Sequence, residues 1–231
     1  GETVAAFEPA LDYCVVKIPR WPFDKFADGD RTIGTQMKAT GEVMAIDRTF
    51  EAALQKAMRS LDFSGKTVLW EDPKWSAEKG AEIESAYLKP NDLRLWALLA
   101  FLRRGLTPEA LALRTGVDAW FIRALEDIVA VERRLLAEPL TVELLRKAKR
   151  TGFSDETIGI LADKLPGQVR EQRKEWGITP VFKMVDTCAA EFAAQTPYFY
   201  STYEQENEAL PGPGLKAAVI GSGPIRIGQG I

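Results

Sequence analysis

Histidine is absent from these 231 residues. That removes Ser-His-Asp and Cys-His nucleophile systems, and every His-ligated metal, from the chain. Cysteine is scarce: only Cys14 and Cys188. Two cysteines in so long a chain make no disulfide framework, and reduced thiols, as in a cytosolic protein, are expected. No apolar run approaches the ~20 residues a membrane helix needs, so no membrane partner is expected. No signal-peptide pattern opens the chain. Neither sign of charge dominates. The 30 Lys+Arg stand against 33 Asp+Glu, a net charge of -3, which argues against a nucleic-acid partner. What remains is the composition of an ordinary globular protein, 46% hydrophobic and 27% charged. The length suits one large domain or two small ones, with a substantial core.

Strand-like sequence is confined to the flanks. Leu11–Ile18 is rich in β-branched and aromatic residues and predicts a strand, with Pro19 and Pro22 expected to end it. Trp21, Phe23 and Phe26 then predict a loop pinned into a core by its aromatics. Gly41–Ile46 predicts a second strand, and Thr49 is placed to cap a helix over Phe50–Leu61. Ala53, Leu54, Ala57, Met58 and Leu61 would form its apolar face. Ser64-Gly65 marks a break. Lys66–Trp70 reads as a short strand and Trp75–Leu88 as a helix of modest quality.

The body of the chain, Asn91 to Ile178, reads as helices separated by their own punctuation. Asn91 is placed to cap a helix with Leu95, Leu98, Leu99 and Leu102 on one stripe and Gly105 at its end. Thr107-Pro108-Glu109 restarts a helix with an N-cap, Pro at the first position and a carboxylate near the positive end of the dipole. Asp118 opens Ala119–Ala137, with Phe121, Ile122, Leu125, Ile128, Val129 and Leu136 expected inside and Pro139 as the stop. Thr141 opens the next helix and Gly152 closes it. Ser154 opens another, and Pro166–Trp176, closed by Gly177, is the last. Gly105-Leu106-Thr107-Pro108-Glu109 echoes Gly152-Phe153-Ser154-Asp155-Glu156. A duplicated hairpin or shared capping chemistry would each produce this; every residue has its own local reason to be there, which favours capping.

Beyond Gly177 the pattern turns strand-like at Pro180–Val185 and Tyr198–Tyr203, and Pro211–Gly214 is a turn. Leu215–Ile220 reads as a buried strand feeding the glycines Gly221, Gly223, Gly228 and Gly230. Such a loop lets backbone N–H groups approach a phosphate. The spacing is not G-x-G-x-x-G and no Walker Lys is present, so a tight turn explains it as well. The basic groups Arg103-Arg104, Arg133-Arg134 and Lys147/Lys149/Arg150 are interleaved with Glu126, Asp127, Glu132, Glu138 and Glu143, the pattern of a solvated mixed-charge face. Cys188 lies between Asp186 and Glu191 without a metal set and reads as a packed thiol.

Val185-Asp186-Thr187-Cys188-Ala189-Ala190-Glu191-Phe192 resembles the large subunit of carbamoyl phosphate synthetase. So do Tyr200–Glu204, the run from Gly221 to Ile231, Phe7-Glu8-Pro9, Lys17–Arg20, Gln36-Met37-Lys38 and Gly41–Ile46. The resemblance implies a mainly α chain, a helical oligomerisation domain flanked by short strands from truncated ATP-grasp or Rossmann-like α/β domains. It assigns residues 1–62 to the tail of the carboxyphosphate-forming half. Residues 63–208 fall to the oligomerisation domain and 209–231 to the start of the carbamoyl-phosphate-forming half. It further implies a cytoplasmic parent that uses bicarbonate, glutamine-derived ammonia and two ATP with Mg²⁺ or Mn²⁺, and that works with a glutamine amidotransferase small subunit. This stretch itself would be non-catalytic, without cofactor or metal, and would self-associate through its helices. Composition adds only that Trp96, Trp120 or Trp176 could serve as anchors, with a place in the core the favoured reading of each. Met37 and Gly230 would line the channel for the carbamate intermediate. Ile225 stands where the family usually has Asn, which removes any polar role there. A stand-alone helical adaptor and the start of a Rossmann-type dehydrogenase are the rival readings.

Overall fold

The computed structural model describes residues 6–61, 66–76 and 88–221. Among them it is mainly helical, with seven α-helices and two small two-stranded sheets. The chain divides into two compact units that interleave along the sequence. One takes in the chain up to Val16, Ala45–Lys56 and Leu140–Gly221; the other holds Lys17–Met44 and Ala57–Pro139.

Strands β1 (Cys14–Arg20) and β2 (Gly41–Asp47) pair as the first sheet. Pro19 lies inside β1 rather than ending it. A two-stranded sheet leaves each strand an open edge, where the missing N–H of proline costs no ladder bond. Helix α1 (Phe50–Ser60) starts where Thr49 Oγ1 accepts from Ala52 N–H at 3.3 Å, and Ala53, Leu54, Ala57, Met58 and Leu61 are all buried.

In the unit containing Ala57–Pro139, the predicted strand Lys66–Trp70 is a turn. Leu69 N–H reaches Thr67 Oγ1 at 3.2 Å and Trp70 N–H reaches Thr67 O at 3.1 Å. The apolar residues serve tertiary contacts instead of a ladder: Trp70 meets Trp75 and Trp96 edge-on at 5.8 and 5.7 Å. Pro73–Ser76 forms a 3₁₀ turn, and the rest of the predicted helix Trp75–Leu88, up to residue 87, lies outside the described residues. Helix α2 (Arg94–Arg103) begins later than predicted, because Asn91 caps a preceding turn through Leu93 N–H at 2.8 Å. Its buried run Trp96–Leu102 is continuous, so it has no single stripe, and Leu95 is only half-buried. Helices α3 (Pro108–Thr115) and α4 (Ala119–Ala137) pack together and α2 packs on α4. Thr107 and Asp118 cap as predicted. Phe121 and Leu136, predicted inside, are exposed, because the apolar residues of α4 outnumber the positions its neighbours cover. The aromatic loop is split: Phe23 is buried, Trp21 half-buried and Phe26 exposed.

The other unit holds α5 (Val142–Thr151), α6 (Asp155–Leu161), α7 (Pro166–Glu175), β3 (Val181–Met184) and β4 (Phe199–Thr202). Thr141 and Ser154 cap α5 and α6. Strands β3 and β4 are antiparallel, from Val181 opposite Thr202 to Met184 opposite Phe199. Leu215–Ile220 is not a buried strand: Leu215, Val219 and Ile220 are exposed, and the run pairs with no strand among the described residues.

Three helices end in the same way. Gly105, Gly152 and Gly177 follow α2, α5 and α7 with φ of +91°, +104° and +66°. The next residue's N–H turns back to the helix: Leu106 to Phe101 O at 3.1 Å, Phe153 to Ala148 O at 3.0 Å and Ile178 to Arg173 O at 2.7 Å. These are Schellman caps, which close the last carbonyls of a helix and need a left-handed residue.

Candidate functional site

Met37 is 89% exposed, so it fills no core gap. The adjacent Lys38 holds the loop down instead: its ammonium reaches Asp30 Oδ2 at 2.9 Å and the carbonyls of Asp30 and Thr32 at 2.9 and 2.7 Å. Lys38 thereby depresses the Asp30 carboxyl to a pKa of about 2. Gly223, Gly228 and Gly230 lie outside the described residues, as does Ile225. Gly221 is exposed, with no atom within 4 Å of where a Cβ would stand. Leu215–Gly221 is open coil, and the rest of the predicted phosphate loop, with Gly223 and Gly228, lies outside the described residues.

The charged side chains do not form a uniformly solvated face. In the unit with α5–α7, Lys149 is 6% exposed, and its ammonium bonds Asp155 Oδ1 and Phe153 O, both at 2.8 Å. Arg173 Nε meets the other Asp155 oxygen at 2.8 Å. Burial pushes the Asp155 carboxyl up, but the hydrogen bonds from Lys149 and Arg173 outweigh it and the net shift is downward. The Tyr203 ring stands 4.9 Å from the Lys149 ammonium and 5.9 Å from the Arg173 guanidinium, at cation–π range. Tyr203 also lines a cleft of about 480 Å³ with Arg146, Arg150, Thr179 and Glu204. In the same unit Lys56 Nζ bonds Asp47 Oδ2 at 2.8 Å, Ile46 O at 2.7 Å and Ser201 O at 2.6 Å. Thr202 Oγ1 donates to the other Asp47 oxygen at 2.7 Å. That knot joins β2 and α1 to β4.

In the other unit Arg103 is the hub. It bonds Glu132 twice, at 2.8 and 2.9 Å, Glu71 at 3.1 Å and Val68 O at 2.7 Å. Side-chain exposure is 16% for Arg103 and 9% for Glu132. Arg104 meets Glu71 at 2.8 Å, and Arg133 donates to Leu102 O at 2.8 Å. These bonds fasten α2 to α4. Sequence reading missed the Arg103 hub, because partners 29 residues apart leave no local signal, and missed the Asp155 hub although Lys149 lies only six residues away, because proximity in sequence gives no sign of burial.

Burial, then the nearby Glu51 and Asp47 carboxylates, push the Cys14 thiol up, away from the reactive thiolate. Cys188 is half-buried rather than packed, in a turn where Asp186 accepts from Cys188 N–H at 2.7 Å and Ala190 N–H at 2.8 Å. Among the described residues no three of Cys, Asp and Glu converge as a metal set, and no helix is long and apolar enough to cross a membrane. Of the suggested anchors, Trp96 is buried, Trp176 half-buried and Trp120 exposed. What the described residues bring together is a set of ion-pair struts and exposed surfaces.

The family described as the oligomerisation domain of the carbamoyl-phosphate synthetase large chain matches residues 42–177. Those limits run from β2 to the cap glycine of α7. The chain is 61% identical over all 231 residues to a carbamoyl phosphate synthase large chain of Thermomicrobium roseum. It is 52% identical to one of Thermoanaerobacter sp. and 51% to one of Caldanaerobacter subterraneus, again over its full length. It spans 21% of the length of each. On this match, and on a helical core that coincides with it, the chain belongs to the oligomerisation-domain family of the carbamoyl-phosphate synthetase large chain.

Proposed function

We propose that this chain is the helical oligomerisation and linker segment of a carbamoyl phosphate synthase large chain and is itself non-catalytic. The observation that carries the reading is the coincidence of the matched residues, 42–177, with the helices whose caps and ion-pair hubs build a scaffold. The parent would make carbamoyl phosphate from bicarbonate, glutamine-derived ammonia and two ATP, for pyrimidine and arginine synthesis in the cytoplasm. ATP and Mg²⁺ or Mn²⁺ would act outside this chain, and a glutamine amidotransferase small subunit would supply the ammonia. Residues 1–62 would close the first catalytic half, 63–208 would be the oligomerisation domain, and 209–231 would open the second half. Met37, which its loop presents outward, and Gly230 would line the route between the halves.

The test compares the 231-residue chain with the full-length large chain in ATP, Mg²⁺, bicarbonate and ammonia. The full-length chain is expected to turn over and to self-associate in light scattering; the short chain is expected to show no turnover. Repurified activity in the short chain, or a full-length protein that makes no carbamoyl phosphate, overturns the proposal. In the full-length protein Gly230→Phe is expected to stop carbamoyl phosphate formation while bicarbonate-dependent ATP hydrolysis persists. A parallel loss of both removes the channel role.

A further inference from the structure

The cleft of about 480 Å³ beside α5 lies wholly within the unit that holds α5–α7, and its polar lining is unevenly satisfied. Arg146 and Arg150 both line it and stand one turn apart on the same face of α5. Arg150 spends Nε and Nη2 on a single Glu204 oxygen, at 3.2 and 2.8 Å, which leaves its Nη1 hydrogens uncommitted. Arg146 has no such carboxylate. Among the described residues its guanidinium makes no hydrogen bond and no ion pair, although Glu143 lies three residues before it on the same helix. The Thr179 hydroxyl and the Gln205 amide add further polar groups to the wall, again without a partner among the described residues. Behind the wall, Lys149 and Arg173 lie against the Tyr203 ring and share Asp155. Arg146, Arg150, Lys149 and Arg173 thus stand against Glu204 and Asp155, an excess of positive charge at a concave surface.

We propose that this cleft binds a small organic oxyanion, a carboxylate or a phosphate ester, held between Arg146 and Arg150; its test in a full-length large chain rests on the parent assignment above. Two guanidiniums one helical turn apart repel each other, and an anion between them turns that repulsion into attraction. The guanidinium fork matches the paired oxygens of a carboxylate or a phosphate. A concave, cationic surface with low-dielectric walls focuses the field and draws anions in. The volume suits a small molecule, for which clefts of about 300–1,000 Å³ are usual. A single acidic side chain inserted from another surface would fill only a small part of it and leave Thr179 and Gln205 unpaired. A small molecule with a hydroxyl or carbonyl beside its acid group can use those two as well. Glu204 competes with the incoming anion for Arg150, so the carboxylate that holds this arginine in place also limits the affinity.

Hydrogen–deuterium exchange with mass spectrometry on the full-length large chain reads the cleft locally, apart from any nucleotide site elsewhere in the protein. The probes are sodium succinate and sodium phosphate, each against sodium chloride at matched ionic strength. Peptides covering Gly177–Val181 and Tyr203–Gln205 are expected to exchange about three-fold more slowly, or slower still, with one probe or both. Succinate alone identifies a carboxylate ligand and phosphate alone a phosphate ester. Arg146→Gln, a change at an exposed side chain, should raise the concentration for half-protection about ten-fold. Glu204→Gln should lower it about three-fold by releasing Arg150. No protection by either probe overturns the proposal; if exchange is already slow without them, another part of the protein occupies the cleft. Protection matched by chloride, protection unchanged in Arg146→Gln, or no tightening in Glu204→Gln overturns it equally. Carbamoyl phosphate synthesis is measured on the same sample, so a failure of the parent assignment registers separately from a failure at this cleft.

Discussion

Gly105 and Gly152 occupy equivalent Schellman caps, yet alanine should cost very different amounts at the two sites. Both have positive φ, +91° and +104°. Holding an alanine there costs about 1–2 kcal/mol in either place. The space differs. A Cβ on Gly105 meets nothing within 4 Å, whereas one on Gly152 would stand 2.7 Å from Ala52 Cα, 3.2 Å from Ala52 O and 3.3 Å from Gln55 Cβ. Those are mostly backbone atoms of α1, which cannot swing aside as a flexible side chain would. Displacing them adds an overpacking penalty of about 1–3 kcal/mol. In a chain of this size each kcal/mol moves the melting temperature by about 2–4 °C. Gly105→Ala should therefore lower Tm by roughly 2–8 °C and Gly152→Ala by roughly 4–20 °C, with the difference set by α1. Calorimetry on the two variants and a Gly152→Ala/Gln55→Ala double variant gives the comparison. The double variant should be less stable still, because Gln55→Ala keeps the Cβ that stands 3.3 Å away and removes the bond from Gln55 to Thr151 O. Equal losses at Gly105 and Gly152 would refute the close approach of α1 to the α5 cap.

Two further outcomes follow from the ion-pair hubs. Glu132→Ala removes two bonds from the Arg103 guanidinium but leaves it Glu71 and Val68 O, so it should cost about 1.5–3 kcal/mol, read as a shift in the urea midpoint; an unchanged midpoint would contradict this. Asp155 is held below the ordinary carboxylate value, so its contribution is complete above the unfolded pKa near 4 and is lost as pH falls through the folded value. Asp155→Asn should be less stable than wild type at pH 7 by about 2 kcal/mol and should converge with it below pH 4, measured by Tm against pH. Parallel curves would show that Asp155 does not titrate between the folded and unfolded states.

What the sequence revealed was mostly local. Thr107, Asp118, Thr141 and Ser154 start helices and Gly105, Gly152 and Gly177 follow their ends as expected, because a cap is chemistry within four or five residues. Failures came where a distant neighbour decides. Lys66–Trp70 has strand composition, but Trp96 and Trp75 claim its aromatic and leave it a turn. Leu215–Ile220 also has strand composition and lies open without a ladder. Lys149 and Arg103 looked solvated because a basic residue beside acidic ones gives no sign of depth, and only the fold brings Asp155 and Glu132 over them. Met37 was legible as an unusual motif residue but not as an exposed one. The large-chain family was legible in the flanking strings, whereas the cleft beside Arg146 and Arg150 needed coordinates, because α5 and Tyr203–Gln205 meet only in the fold.

The Gln55 side chain donates to Thr151 O at 2.9 Å across a separation of 96 residues. Ribosomes add about 5–20 residues per second, so α1 emerges some 5–20 s before its lock on α5 exists. Closing a loop of that length carries an entropic cost of about 4 kcal/mol by the logarithmic law. During that interval Ala52, buried in the finished unit, lacks the Gly152 cap that stands beside it. The nascent chain therefore has a fixed window in which a chaperone or a misplaced neighbour competes for α1, and synonymous codons between residues 56 and 140 set how long that window stays open.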